Sequence, residues 1–142
     1  MPLFLQGLFL YLSTMRIAIF CFDYGKSAVT GAGIYYEQLS AILMHHGYEV
    51  GVYCMKYPFA DHTQAVPVYP WRLCHHMSQY DAIMCPPDLA QRAATYGRPL
   101  IPIVQRDYVP VMPYEKVKRV IFCCEHLQAK YMLPTKTMVW RP

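Results

Sequence analysis

Apolar positions along this chain fall into short runs that alternate with stretches of helical period. Arg16 to Phe22 is apolar on both faces, the pattern of a parallel strand covered by helices on either side. The run stops at Asp23, and a loop holding Gly25, Gly31 and Gly33 leads into a helical pattern from Ile34. Tyr35, Leu39, Ile42 and Leu43 share one face of that helix, with Glu37, Gln38 and His45 elsewhere, and Gly47 follows His46 as a stop signal. Tyr48 to Cys54 predicts a second strand, completing a βαβ unit whose crossover is right-handed.

The alternation continues to the end of the chain. Residues 55 to 66 carry a proline, a polar centre and no period, and read as loop. A short strand is expected at Val66 to Tyr69, a short helix over Trp71 to Gln79, and a strand over Tyr80 to Cys85 that stops at Pro86 and Pro87. Asp88 to Tyr96 reads as a helix closed by Gly97, and Pro99 to Val104 as a strand. Pro102 cannot donate to a ladder, so that strand is either an edge or pairs through one side only at this residue. Tyr108 to Glu115 reads as loop, Val117 to Cys123 as strand, Glu125 to Met132 as helix and Lys136 to Trp140 as a last strand. The pattern predicts an α/β, Rossmann-like, doubly wound and mainly parallel sheet with helices on both faces, built by residues 15 to 142.

Residues 1 to 14 are an apolar leader, too short to span a bilayer and without a basic residue ahead of their hydrophobic run. Met15 followed by Arg16 and an immediate strand marks the expected start of the domain, with the leader an upstream-start artefact or a loosely attached arm. A membrane-surface helix is the alternative, although the basic residues such helices use are missing opposite the leucines.

Composition narrows the classes. The chain has 142 residues, enough for one domain with a real core, and its 15% aromatic and 15% charged content excludes intrinsic disorder. A net charge of +4 spread over scattered basic residues does not indicate nucleic acid binding. The six cysteines lack the spacing of a secreted disulfide scaffold and read as reduced thiols of a cytoplasmic protein. Cys21, Cys54, Cys85 and Cys123 fall at predicted strand ends, where packing accounts for them. His45, His46, His75 and His76, with Cys74, Cys123, Cys124 and His126, invite a metal, but Cys123, Cys124 and His126 lack metal-ligand spacing and His45 and His46 suit the end of their helix, so no metal is expected.

The candidate chemistry sits at the first β-α junction. Glycines ahead of a helix N-terminus leave backbone N–H groups open to an anionic group, which makes Gly31, Ala32 and Gly33 candidate phosphate ligands. The competing reading is a tight turn that only lets helix and strand pack closely. In an open parallel sheet ligands lie beyond the strand carboxyl ends, which brings in the stretches Asp23 to Gly33, Met55 to Lys56, Pro86 to Asp88, Gln105 to Asp107 and Cys124 to His126. Asp107 is a candidate base for an acceptor hydroxyl, or caps its turn. Arg106 is a candidate for pairing with an anion, or faces water. Lys26 is within reach of a diphosphate from the glycine loop, without the glycine spacing of a Walker motif.

The stretch MRIAIFCFDYGKSAVTGAGIYYEQLSAILMHHGYEVGVYC is similar to the opening of the family 4 type glycosyltransferases of the GT-B fold. YDAIMCPPDLAQRAATYGRPLIPIVQRD resembles that family's next strand, helix and strand, and KRVIFCCEHLQAKYMLPTKTMVWRP the segment leading toward its interdomain linker. The resemblance implies the N-terminal, acceptor-side half of an enzyme that transfers a sugar from a nucleotide-sugar donor to an acceptor. It implies a donor on a second Rossmann domain or subunit, no activity without it and no separate cofactor, while contact with a membrane surface is suggested by the apolar leader alone. By the resemblance Gly31 and Gly33 lie over the interdomain cleft, Asp107 survives where the family often has a histidine and an aspartate, and Glu125 matches the family's glutamate. Cys124 replaces the family's serine, and a thiol caps a helix or holds a phosphate poorly. The paired glutamates of the family's second domain have no counterpart among Glu37, Glu49, Glu115 and Glu125. The alternative class is a stand-alone, non-catalytic Rossmann-like module that binds a nucleotide or a protein.

Overall fold

A computed structural model describes residues 15–25, 31–56 and 66–141. Seven strands form one sheet: β1 (Arg16–Cys21), β2 (Glu49–Cys54), β3 (Val68–Pro70), β4 (Ala82–Cys85), β5 (Leu100–Val104), β6 (Val120–Phe122) and β7 (Thr137–Val139). Their order is β3-β2-β1-β4-β5-β6-β7, and every neighbouring pair is parallel. The expected Rossmann-like α/β sheet is therefore present. The chain winds outward from β1 to β3, then returns to β4 on the other side of β1, so the order reverses between β1 and β4.

Alternate residues of the strands feed two cores. Ile17, Ile19, Val50, Val52 and Met84 face the helix α1 (Gly31–His45) through Tyr36, Leu39 and Leu43. Ala18, Phe20, Tyr53 and Ile83 face the opposite layer. That layer is made by 3-10 turns over Trp71–Gln79, by α2 (Ala90–Ala94) and by α3 (Glu125–Lys130). Among the described residues no helix is long and apolar enough to cross a membrane.

Several elements depart from the pattern. α1 starts at Gly31, not Ile34, so Gly31, Ala32 and Gly33 form its first turn instead of a loop ahead of it. Glu37, expected on the polar face, is buried. Gly33, Tyr36, Glu37 and Ser40 form a second buried strip beside Tyr35, Leu39 and Leu43, so the covered face is wider than the apolar period marks. Trp71–Gln79 is 3-10 and not α-helical; Cys74, Met77 and Tyr80 are buried at every third residue, the repeat of that tighter helix. The segment read as a helix from Asp88 to Tyr96 begins as a 3-10 turn over Pro87–Leu89 and becomes α2 only from Ala90. The leader, Lys26 and most of the loop over 55 to 66 lie outside the described residues.

Pro102 sits in an interior strand, not at an edge, and pairs with Cys85 of β4. Leu100 and Val104 accept from Lys118 and Cys123 on the β6 side, so the pleat turns the proline's missing donor toward β6 as well. The ladder there is interrupted. Leu100 bridges Val117 but Ile103 pairs with Ile121, so β6 carries an extra residue opposite the proline, as in a bulge. This is why β6 starts at Val120 and not at Val117.

Two glycines hold the ends of α1. Gly47 has φ 90°, its N–H donates to the Met44 carbonyl at 3.0 Å, and the Tyr48 N–H donates to Leu43 at 3.1 Å, which is a Schellman closure. Gly25 has φ 96°, and its N–H donates to the Gly33 carbonyl at 3.0 Å, tying the end of β1 to the first turn of α1. Gly25→Ala forces a side chain into the left-handed region and is expected to cost about 1–2 kcal/mol. Urea denaturation checks it; a change within a few tenths would mean the turn relaxes freely.

Candidate functional site

Ligands of open α/β sheets lie beyond the strand carboxyl ends where the order reverses. Between the ends of β1 and β4, at that reversal, lies a cavity of about 680 Å³. This falls within the roughly 300–1,000 Å³ typical of small-molecule sites. Phe22 and Asp23 reach it from the end of β1, and Gly31, Ala32, Tyr35 and Tyr36 from α1. Lys56 reaches it from beyond β2, and Pro86, Pro87 and Asp88 from beyond β4. Gln105, Arg106 and Tyr108 close it from beyond β5, and Cys123 from beyond β6. The wall is mostly aromatic and apolar, with charges gathered at its polar edge.

Those charges come in matched pairs. Lys56 Nζ lies 3.6 Å from Asp23 Oδ1, the carboxylate buried and the ammonium exposed. Arg106 Nη2 donates to Asp88 Oδ2 at 2.7 Å and its guanidinium stands over the Tyr108 ring at 5.4 Å. The second pair joins the loops after β4 and β5 across the rim. On the α1 side the Tyr35 hydroxyl donates to the Trp140 carbonyl at 3.2 Å, and the two rings meet edge-on at 5.3 Å. This contact fixes the first turns of α1 against the end of the sheet.

Tyr36 differs from its neighbour. It is 1% exposed and lines the cavity, yet its hydroxyl has no hydrogen-bond partner among the described residues. Burial, with the nearby Cys85, Cys21, Tyr35 and Asp88 adding to it, pushes its pKa well up, so the group keeps its proton. The thiol of Cys85 beside it is pushed up to about 12 by burial, and it packs as a neutral side chain. This agrees with the packing role expected of the strand-end cysteines.

The structure brings together three of the sequence-derived site residues, Gly31, Ala32 and Arg106. Gly31 has no positive φ, and a Cβ built on it would meet nothing within 4 Å, so neither backbone strain nor close packing calls for glycine there. Gly33 is buried in the same first turn, its carbonyl accepting from the Gly25 N–H. Asp107 lies outside the cavity lining. Its carboxylate accepts from Tyr131 at 2.5 Å and from Lys130, both at the end of α3. These bonds, Lys130 first and then Tyr131, hold its pKa below the usual carboxylate range. Glu125 is exposed, 3.9 Å from Arg141, and does not line the cavity either. Cys124 is the N-cap of α3 with no side-chain capping bond, as expected of a thiol. Among the described residues no group of three or more histidine, cysteine and acidic side chains is placed to hold a metal ion.

Sequence reasoning missed Tyr35 and Tyr36 as lining residues, because the helical period assigns Tyr35 to the core and leaves Tyr36 off that face. A signal was present: Tyr36 follows Ala32 and Gly33 at helical spacing, so it shares their face. The fold and the cavity define a Rossmann-like α/β domain with its site at the topological switch point. No family model, curated protein or solved structure matches the chain.

Proposed function

We propose that this chain is the acceptor-side half of a GT-B type glycosyltransferase, working with a nucleotide-sugar held by a second Rossmann domain or subunit. The observation that carries the reading is the cavity between β1 and β4, with the first turn of α1 at its edge and five strand ends contributing to it. Exposed apolar side chains beside it add support. Ile34 and Met55, next in the chain to lining residues, and Tyr108 on the wall are exposed where a second domain would close the cleft. In this reading the cavity seats the acceptor. Asp88 and Asp23 are the carboxylates facing it, and Asp107 acts from outside by holding the end of α3 against the β5 loop.

The test is calorimetric titration of the full chain with uridine, guanosine and adenosine diphosphosugars, followed by a transfer assay with a donor-binding domain added. The chain alone is expected to bind the donors weakly and to transfer sugar only with the second domain present. Binding at about micromolar Kd by the chain alone, near −8 kcal/mol, would place the donor site here and favour a stand-alone binding module.

A further inference from the structure

Because every strand of the sheet is parallel, the residues that lead into β5, β6 and β7 meet at the pole opposite the cavity. Arg98 precedes β5, Lys116, Lys118 and Arg119 precede β6, and Lys136 precedes β7. Two backbone bonds tie these segments together: the Lys118 N–H donates to the Leu100 carbonyl at 2.9 Å, and the Val120 N–H to the Lys136 carbonyl at 2.9 Å. Arg98, Lys116 and Lys118 border one hollow of about 460 Å³, with Glu115 the one acid among the described residues on its wall. Lys116, Lys118 and Lys136 are exposed, and among the described residues Arg98, Lys118 and Lys136 enter no ion pair. The three segments thus hold five cations and one acid, an excess equal to the net +4 of the whole chain. Basic residues that are scattered in sequence are gathered by the fold. Farther along the same pole, Arg16 is offset by Glu49 at 2.8 Å, and its N–H donates to Asp81.

This pole also carries the junction with residues 1 to 14. Met15 leads into β1, two strand spacings or about 10 Å from β5. Residues 1 to 14 hold five leucines, two phenylalanines and no charged side chain. Attachment to a bilayer surface grows with both buried apolar area and attraction to anionic headgroups. The leader supplies the first and lacks basic residues for the second; the domain supplies those beside it. We infer that this pole docks on an anionic phospholipid surface, with Arg98, Lys116, Lys118 and Lys136 meeting lipid phosphates and the apolar side chains of residues 1 to 14 entering the acyl boundary. Duplex DNA would complement the charge but not the apolar segment. The cavity lies at the other pole, so docking leaves it uncovered, and the inference holds whatever the cavity binds.

The experiment sediments the full chain with vesicles of phosphatidylcholine alone and of phosphatidylcholine mixed with phosphatidylglycerol. The wild type is expected to bind the mixed vesicles at least tenfold more tightly, and to lose most of that difference in about 1 M salt, where the Debye length is about 3 Å. Lys118→Glu and Lys136→Glu should each weaken binding to the mixed vesicles about fivefold or more. Arg72→Glu makes the same change in net charge beyond the end of β3, at the other pole, and should cost less than about twofold. Lys118, Lys136 and Arg72 are exposed, so all three variants should keep the wild-type urea midpoint. Leu8→Glu combined with Leu10→Glu should weaken binding to both kinds of vesicle about tenfold or more. Equal binding to the two kinds of vesicle overturns the inference, as does no binding to either. Equal losses in Lys118→Glu and Arg72→Glu, wild-type binding by the doubly substituted leader, or duplex DNA bound more tightly than the mixed vesicles at the same salt would overturn it too.

Discussion

Phe20→Ala is expected to lower the stability of the domain by about 3–5 kcal/mol, read as a fall in urea midpoint with an unchanged m-value. Phe20 is fully buried in the central strand β1. Its ring meets Trp71 edge-on at 4.6 Å, Tyr96 at 5.7 Å and Tyr53 at 5.8 Å. Those three rings come from the 3-10 turns, the end of α2 and β2, so one side chain ties two of the three elements of the second layer to the sheet. Alanine removes the transfer free energy of the ring, leaves a cavity that three rigid aromatics cannot collapse into, and deletes the edge-on contacts, each worth about 0.5–1.5 kcal/mol beyond area. Against a typical total of about 5–15 kcal/mol the loss is a large share of what holds the domain folded. Phe20→Leu should recover a good part of it. A loss under about 1 kcal/mol for alanine would mean that the layer is held by other contacts.

Much of this architecture was legible because buried parallel strands are apolar on both faces. Arg16 to Phe22 reads as a strand for that reason, and with the strands expected at Tyr48 to Cys54 and Pro99 to Val104 it supplies three interior strands of the sheet. What failed was set by tertiary contacts. The start of α1 was misplaced because glycines have poor helix propensity, while the bond from Gly25 to Gly33 and the packing of Tyr35 on Trp140 hold the first turn in place. The interior position of Pro102 was not foreseeable, since the extra residue that accommodates it lies between Val117 and Ile121, sixteen to eighteen positions away in sequence.

The site was legible at the level of stretches. The switch-point rule delivers Asp23, Lys56, Pro86 to Asp88, Gln105 and Arg106 to one place, and the cavity is lined by all of them. Individual roles were less so. Asp107 and Arg106 are adjacent in the chain, but Arg106 turns to Asp88 at the rim and Asp107 to Lys130 and Tyr131 of the α3 end. Nothing in a loop tripeptide encodes that divergence, which depends on where α3 lands. Tyr36 escaped notice for a different reason: it is buried in the core beside the face that the apolar period marks, and it borders the cavity from there.

Gly51→Ala separates two opposed effects in β2. Glycine in a strand interior is entropically weak, and alanine there would ordinarily stabilise by roughly 0.5–1 kcal/mol. At Gly51, however, an added Cβ would stand 2.2 Å from Tyr80 Oη, a distance real Cβ atoms essentially never show, and 3.0 Å from its Cζ, tighter than most real contacts. The Tyr80 ring is held by two neighbours. Its hydroxyl lies 3.2 Å from that of Tyr53, its ring packs edge-on to Tyr53 at 6.0 Å, and the Arg16 guanidinium covers it at 5.4 Å. The clash should win, with a net loss of about 1–3 kcal/mol by chemical denaturation. Tyr80→Phe alone removes the hydroxyl pairing and should cost about 1 kcal/mol. In the double variant the atom at 2.2 Å is gone, so the two losses should not add, and a coupling of about 0.5 kcal/mol or more should favour the pair. Strict additivity, or a stabilised Gly51→Ala, would mean that the Tyr80 ring moves aside freely and that the glycine is not required by space.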